Sequence, residues 1–198
     1  MNEIKAEIVG FLCAEGCYVK SCRVFSELDK RKGNVYFRIR NSRVIEFGNT
    51  NPILLKRFIY LLGKEYDYKP NPSSNNTKIV IGRVKIVEDL LKYSNYGTFK
   101  WSVPSELFNS PIKSKYAFLR GFIDGDGTIG RGCIRLDSAN KSGLLQISGL
   151  VKTIKINHSF HGPIKSKNKS DMYNIYIGID ESKRILKYLK PNKTYILK

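Results

Sequence analysis

The same short pattern occurs twice in this chain, and the repeat constrains the fold more than any other feature of the sequence. The first copy, Ile8 to Gly16, reads IVGFLCAEG, and the second, Leu119 to Gly127, reads LRGFIDGDG. The copies align without a gap, and each predicts an apolar helix that ends in an acid followed by glycine. Two such helices are expected to pair about a pseudo-two-fold axis, which would bring Glu15 and Asp126 together.

Small residues recur four positions apart in both predicted helices. They are Gly10 and Ala14 in the first copy and Gly121 and Gly125 in the second. Residues at this spacing lie on one helix face, so each helix has a stripe with almost no side chain. Such stripes allow two helix backbones to approach closely, and these four residues are the predicted helix interface. The glycine after each acid is expected to end its helix in the left-handed conformation.

The two terminal acids predict a site for cations. Carboxylates held side by side repel each other, and a divalent ion relieves that repulsion. Mg²⁺ suits such a pair because it often takes only one or two protein carboxylates and completes its shell with water and substrate phosphate. Glu15 and Asp126 are therefore the predicted metal ligands.

At these residues the chain resembles the LAGLIDADG homing endonucleases, in the single-chain form with two motif copies. The second copy and the Thr128-Ile129 that follows it carry the resemblance, and the first copy keeps the skeleton of the motif. The resemblance implies an α+β fold of two αββαββα halves related by a pseudo-two-fold axis, with antiparallel sheets that form a saddle on DNA. We expect an N-terminal half at 1–93, a linker at 94–112 and a C-terminal half at 113–198.

The resemblance also implies the activity. It predicts a monomeric, intron-encoded endonuclease that uses Mg²⁺ to hydrolyse phosphodiester bonds and makes a double-strand break at a long, non-palindromic intron-insertion site. Two alternatives keep the fold without this chemistry: a maturase that binds intron RNA, and a DNA-binding regulator that no longer cleaves. A regulator has little reason to keep both Glu15 and Asp126, whereas a maturase is harder to separate from an endonuclease.

The resemblance further implies that Glu15 and Asp126 are catalytic acids that share two or more divalent ions. It also implies a polar residue that organises water and a basic residue near the metal ions in each half. Alignment of the helix that follows the first hairpin of each half places the polar residue at Asn51 and Asn140. The positions after the last helix of each half place the basic residue at Lys100 and Lys193. For Lys193, a solubilising role in the tail explains the residue equally well.

Hydrophobic alternation predicts the strands on which DNA contacts would lie. The second strand of the first hairpin alternates Val35, Phe37 and Ile39 with larger polar residues, so we expect one face in the core and the other cationic.

A second hairpin is expected from Tyr66 to Lys69 and Thr77 to Arg83, and Asp180 is expected to cap the last helix.

A two-stranded ribbon fits the major groove, where each base pair presents its own hydrogen-bonding pattern. The outward-facing positions of the predicted strands are therefore candidate DNA contacts, although each is equally consistent with a solvated strand face. Arginines among them suit bidentate contacts to guanine, and lysines suit phosphates. The candidates are Arg23, Tyr36, Arg38, Arg40, Arg131, Arg135, Lys165, Lys167, Asn174 and Tyr176.

The composition points to a polyanionic partner independently of the motif. The formal net charge is +18 over 198 residues, while a hydrophobic content of 41% excludes a basic disordered tail. A basic ribosomal-type RNA-binding protein would explain this charge but not the repeat. The sequence has no transmembrane stretch or signal peptide, and its four cysteines form no CxxC pair. We therefore expect an intracellular protein, in a prokaryotic cytoplasm or an organelle, with no membrane contact.

Overall fold

The computed structural model describes residues 1–29, 34–165 and 170–192, without the side chains of residues 27–29, 36 and 40. The first half contains α1 (Glu3–Glu15), β1 (Gly16–Asp29), β2 (Asn34–Gly48), α2 (Pro52–Tyr66), β3 (Lys78–Ile81) and α3 (Val84–Leu91). The second half contains α4 (Ile112–Asp126), β4 (Gly127–Gly130), β5 (Cys133–Ser138), α5 (Lys141–Thr153), β6 (Ser159–Ile164), β7 (Met172–Ile177) and α6 (Ile179–Leu189). Among the described helices, none is both long and apolar enough to cross a membrane.

The two halves repeat one antiparallel sheet topology. The first sheet has the strand order β1-β2-β3, and the second has the order β4-β5-β7-β6. In the first sheet, Pro72 forms an isolated bridge with Ile79 at the place where the second sheet has β6. Proline has no N–H to donate, and the contact at Pro72 is a single bridge. The predicted α+β fold of two αββαββα halves is confirmed, with one strand of the first half reduced to the bridge at Pro72.

Two local predictions are wrong. The segment from Tyr66 to Lys69 is not a strand, because α2 continues to Tyr66 and ends at Asp67, which is left-handed with φ 47°. Asp180 does not cap α6: the capping position is Gly178, and Asp180 lies in the first turn of the helix. An acid in that turn still interacts favourably with the helix dipole.

Helices α1 and α4 pack backbone to backbone along the small-residue stripes. A Cβ atom added to Gly10 would lie 2.1 Å from the carbonyl oxygen of Phe118, and one added to Gly121 would lie 2.4 Å from the carbonyl oxygen of Glu7. A Cβ on Gly125 would lie 2.5 Å from the Cβ of Ala14. These distances are shorter than any ordinary contact, so the helices could not approach this closely with larger residues.

The glycines that follow the two acids are required for a different reason from the one predicted. Gly16 and Gly127 have extended conformations, with φ −86° and −84°, and are not left-handed. The chain passes directly from each helix into a strand at these residues. A Cβ would lie 2.3 Å from the Leu12 carbonyl oxygen at Gly16 and 2.6 Å from the Ile123 carbonyl oxygen at Gly127. The sharp change of direction therefore excludes a side chain.

The long β1-β2 ribbon departs from the predicted burial. Val35, Phe37 and Ile39 are 57%, 73% and 66% exposed, so the expectation that they face the core is wrong. Along the same face of β2, burial begins only at Ile45 and Phe47, which are both fully buried. Among the described residues, no helix covers the distal part of the ribbon. Alternation of apolar residues identified the two faces correctly but could not show where the underlying helices stop.

Trp101 fixes the connection between the halves. It is 4% exposed, and its ring centroid lies 5.1 Å from that of Phe122 on α4. Its ring also fills the space beside Gly143, where an added Cβ would lie 2.4 Å from the ring. The carbonyl oxygen of Trp101 accepts a hydrogen bond from Nδ2 of Asn140 at 2.7 Å. The connecting segment is thus anchored on both α4 and α5.

A buried ion cluster lies beside the helix pair. Glu7 on α1 is 1% exposed and accepts hydrogen bonds from Arg57 Nε at 2.9 Å and Nη2 at 2.7 Å. It also forms an ion pair with Arg120 of α4 and accepts a hydrogen bond from Nδ2 of Asn192 at 3.4 Å. Burial alone would raise the pKa of Glu7, but the two arginines outweigh it and hold that pKa below its usual 4.5. The cluster therefore joins α1, α2 and α4 through one ionised carboxylate.

Replacing Glu7 by glutamine is expected to lower the free energy of unfolding at pH 7 by about 2–3 kcal/mol. This is less than for a fully buried pair, because Arg57 keeps part of its surface in water. Since the folded-state pKa is depressed, the contribution of Glu7 is complete above pH 4.5 and is lost as the pH falls through the folded-state value. Denaturant unfolding at several pH values should show the gap between Glu7→Gln and the natural protein closing in acid. The exposed Glu3→Gln on the same helix is the control, and a gap independent of pH would contradict this account.

Candidate active site

A cavity of about 480 Å³ opens at the ends of the two packed helices. Glu15, the last residue of α1, and Asp126, the last residue of α4, both line it. The helices reach this position together because their backbones touch at the glycine stripes. The structure therefore places the two motif acids in one shared space.

The wall of the cavity comes from segments far apart in the chain. Thr98 and Trp101 come from the connecting segment, and Asp137 and Ser138 come from the end of β5. Asp137 was not among the predicted site residues. It accepts a hydrogen bond from Nε of Arg135 at 2.8 Å, two positions away on the same strand face. Its alternation with Arg135 is visible in the sequence, but nothing in that pattern shows that the strand ends at the two acids.

The donor set fits a hard divalent cation. Both motif acids line an open cavity that has room for water and a phosphate group. Among residues 1–29, 34–165 and 170–192, no group of three or more His, Cys, Asp and Glu side chains is arranged to hold a metal ion. A cation here would thus rely on the carboxylate pair and on non-protein oxygens, as Mg²⁺ commonly does.

The predicted polar residues are both engaged as helix caps and do not line the cavity. The side-chain oxygen of Asn51 accepts the backbone N–H of Ile53 at 2.9 Å at the start of α2. The side-chain oxygen of Asn140 accepts the backbone N–H of Gly143 at 3.0 Å at the start of α5. Asn140 nevertheless supports the cavity wall, because its amide group holds the carbonyl of Trp101.

One of the predicted basic residues lies near the cavity. Lys100 is exposed, and its Cδ lies 3.7 Å from the position that a Cβ would take on the cavity residue Gly97. Its ammonium group is therefore within reach of the rim of the cavity. Lys193 lies outside the described residues.

Asp124, the other acid of the C-terminal motif, is held by hydrogen bonds within the protein. Asp124 is fully buried and accepts hydrogen bonds from the backbone N–H of Asn192 at 2.9 Å and from its Nδ2 at 2.8 Å. Cys13, its counterpart in the first motif, is 1% exposed, and burial raises the pKa of its thiol to about 12. Neither residue lines the cavity.

The open face of the C-terminal sheet carries several predicted DNA contacts. Arg135 and Tyr176 are directly paired neighbours on β5 and β7, and both are exposed. Lys165, just after β6, and Arg131, in the turn between β4 and β5, are also exposed. Asn174 shares the face but is only 8% exposed, so it is less accessible than the prediction assumed.

The ribbon of the N-terminal half carries the remaining candidates. Arg23 and Arg38 are exposed, and Arg23 pairs directly with Arg40. By strand register, Arg23 and Arg38 share the face opposite Val35, Phe37 and Ile39. The side chains of Tyr36 and Arg40, and the whole of Lys167, lie outside the described residues.

Two halves thus pack through glycine-lined helices, and each places one carboxylate in a shared cavity. Residues 113–190 match the family of LAGLIDADG-like domains. The C-terminal half therefore carries a LAGLIDADG-like domain, and the resemblance predicted from the motifs is confirmed. No curated protein sequence matches the chain significantly.

Solved structures share the fold over nearly the whole chain. I-DmoI in complex with DNA and manganese is 14% identical, with a TM-score of 0.65 over 94% of this chain and 96% of that one. The LAGLIDADG homing endonuclease I-LtrWI bound to target DNA is 12% identical, with a TM-score of 0.57 over 98% of this chain and 85% of that one. Full-length DUF199/WhiA from Thermatoga maritima is 16% identical, with a TM-score of 0.55 over 94% of this chain and 55% of that one.

Proposed function

We propose that this chain is a site-specific DNA endonuclease that makes a metal-dependent double-strand break at a long, non-palindromic intron-insertion site. The observation that carries the proposal is that Glu15 and Asp126, one from each motif helix, line a single cavity. One acid per half suits a pair of adjoining reaction centres, one for each DNA strand. Structures of similar fold contain DNA and manganese or calcium, which supports a DNA substrate and a divalent cofactor.

In this proposal each residue of the site has a limited task. Glu15 and Asp126 hold the cation, and the rigid contact between α1 and α4 keeps their separation constant. A divalent ion bound there would activate water and stabilise the charge that develops on the phosphate. Mg²⁺ is the proposed ion, and Lys100 at the rim is a proposed phosphate contact. Lys193 and the water-organising roles of Asn51 and Asn140 remain predictions.

The two sheets are the proposed DNA-binding surface of a monomer whose halves are residues 1–93 and 113–198, joined by 94–112. A net charge of +18 provides the cations that neutralise backbone phosphates. The strands of the first ribbon have 14 and 15 residues, and those of β4 and β5 have 4 and 6. A 14-residue strand extends for roughly 45 Å, more than the ~34 Å of one turn of DNA. Arms this unequal favour a non-palindromic target.

The direct test is cleavage of duplex DNA that carries the joined flanking sequences of the intron encoding the chain. Purified full-length protein with Mg²⁺ or Mn²⁺ is expected to linearise a plasmid bearing this junction, and EDTA is expected to prevent the reaction. A plasmid whose junction is interrupted by the intron is the control. Binding without cutting under both metals would favour the regulator, and splicing of the intron RNA without DNA cutting would favour the maturase.

A further inference from the structure

We propose that Arg135 and Glu46 occupy equivalent positions in the two halves and specify different bases, a guanine in one half-site and a cytosine in the other. This inference rests on the proposed function, because it concerns the sequence read by the same protein. It assigns one base preference to each of two residues, one of which, Glu46, was not a predicted DNA contact.

Register establishes the equivalence. In the first half, Gly16 pairs directly with Phe47, and in the second half Gly127 pairs directly with Leu136. The residue just before each partner, Glu46 or Arg135, therefore has the same place relative to the motif helix. Phe47 and Leu136 are fully buried, so their neighbours Glu46 and Arg135 point to the open face of the sheet.

The contacts of Arg135 determine which of its donors are presented. Its Nε donates to Asp137 at 2.8 Å, and its side chain is 54% exposed. This contact engages Nε and leaves the two terminal nitrogens as the remaining donors of the guanidinium group. Within the described part of the chain, no hydrogen bond from these nitrogens is found. Two parallel donors of this kind match the O6 and N7 acceptors of guanine.

Glu46 presents the opposite chemistry at the equivalent place. Its Oε2 pairs with Nζ of Lys78 at 2.8 Å, which restrains the carboxylate on the open face. A carboxylate accepts hydrogen bonds but cannot donate them when ionised, and in the major groove it suits the N4 amino group of cytosine. Bases related by the pseudo-two-fold axis would therefore differ, guanine at one and cytosine at the other.

Asp137 is the positioning residue for Arg135, and it also locates the contact along the DNA. Asp137 lines the cavity that contains Glu15 and Asp126. Arg135 precedes it by two residues on β5 and so lies farther from the cavity. Two residues of a strand span about 7 Å. At 3.4 Å per base step, the guanine lies about two base pairs outward from the position facing the cavity.

The test uses a panel of duplexes in which each base pair of the cleaved target is replaced in turn by the other three. Arg135→Ala is expected to reduce the preference for guanine at one position by about tenfold or more and to leave the other positions unchanged. Glu46→Gln is expected to convert a cytosine preference to adenine at the pseudo-equivalent position, because glutamine pairs bidentately with adenine. Asp137→Ala is expected to weaken the guanine preference, and Asp137→Asn to restore it, because an amide oxygen still accepts from Nε.

The matched control is Arg184→Ala. Arg184 is an exposed arginine whose Nε also pairs with a carboxylate, Glu181 at 3.0 Å, but it lies on α6 and not on a sheet. Circular dichroism establishes that each variant is folded. If Arg135→Ala cleaves the same panel with unchanged preferences, this inference is overturned while the proposed function stands. If the natural protein neither binds nor cuts any duplex, the proposed function fails and the inference fails with it.

Discussion

Asp126→Asn and Glu15→Gln, each made alone, are expected to reduce cleavage by at least about 100-fold while changing DNA affinity only a few-fold. The amide keeps the volume of the carboxylate but removes the charge that holds a cation, and loss of one group that stabilises transition-state charge carries a cost of this size. Both residues line one cavity at the ends of packed helices. Plasmid linearisation measures the rate, and a filter-binding titration with an uncleavable duplex measures the affinity.

Asp180→Asn is the control for this pair, because Asp180 is an exposed acid on α6 that does not line the cavity. It should cut at the rate of the natural protein. Calorimetric titration with Mn²⁺ adds a readout that does not depend on cleavage: both active-site variants should bind the ion more weakly. Normal cutting by both Asp126→Asn and Glu15→Gln would show that the paired-carboxylate mechanism is wrong.

Gly121→Ala is expected to lower the free energy of unfolding by at least about 3 kcal/mol, at the upper end of the cost of overpacking a core. The new Cβ would lie 2.4 Å from the carbonyl oxygen of Glu7 and 2.8 Å from the backbone nitrogen of Phe11. Both atoms belong to the backbone of α1, so neither can move without separating the helices. The helix preference of alanine over glycine returns only about 1 kcal/mol.

A matched glycine on another helix isolates the effect of packing. Gly149 lies within α5, and the nearest atom to an added Cβ is Cε1 of Phe108 at 3.5 Å, which is an ordinary contact. Gly149→Ala should therefore stabilise the protein by about 0.5–1 kcal/mol. In thermal unfolding, the loss at Gly121 corresponds to a fall in Tm of about 6–12 °C. Equal Tm values for the two variants would contradict the backbone contact between α1 and α4.

The repeated motif predicted the centre of the fold because its information is local and its spacing is regular. Small residues recur four positions apart on α1, at Gly10 and Ala14, and on α4, at Gly121 and Gly125, and that pattern has few structural meanings other than close packing. The acids at the helix ends then reach the same place as a direct geometric consequence. The alternation of β5 was similarly informative, since Ile134 and Leu136 are fully buried.

The features that the sequence did not predict depend on contacts between distant segments. Glu7 is joined to Arg57 and Arg120 across separations of 50 and 113 residues, and no local pattern marks these three as partners. The burial of the β1-β2 ribbon depends on how far the helices beneath it extend, and so Phe37 was wrongly assigned to the core. Asp137 reaches the cavity only because β5 ends at the motif helices.

The contact between α1 and α4 has a consequence for the ends that the proposed reaction would leave on the DNA. The gap between Glu15 and Asp126 is set by the backbone atoms of α1 and α4 that touch at the glycines, and not by the side chains of the sheets. The stagger between the two cuts is then a property of the protein's core. Variants whose sheets are redesigned for other target sequences would inherit the same overhang length.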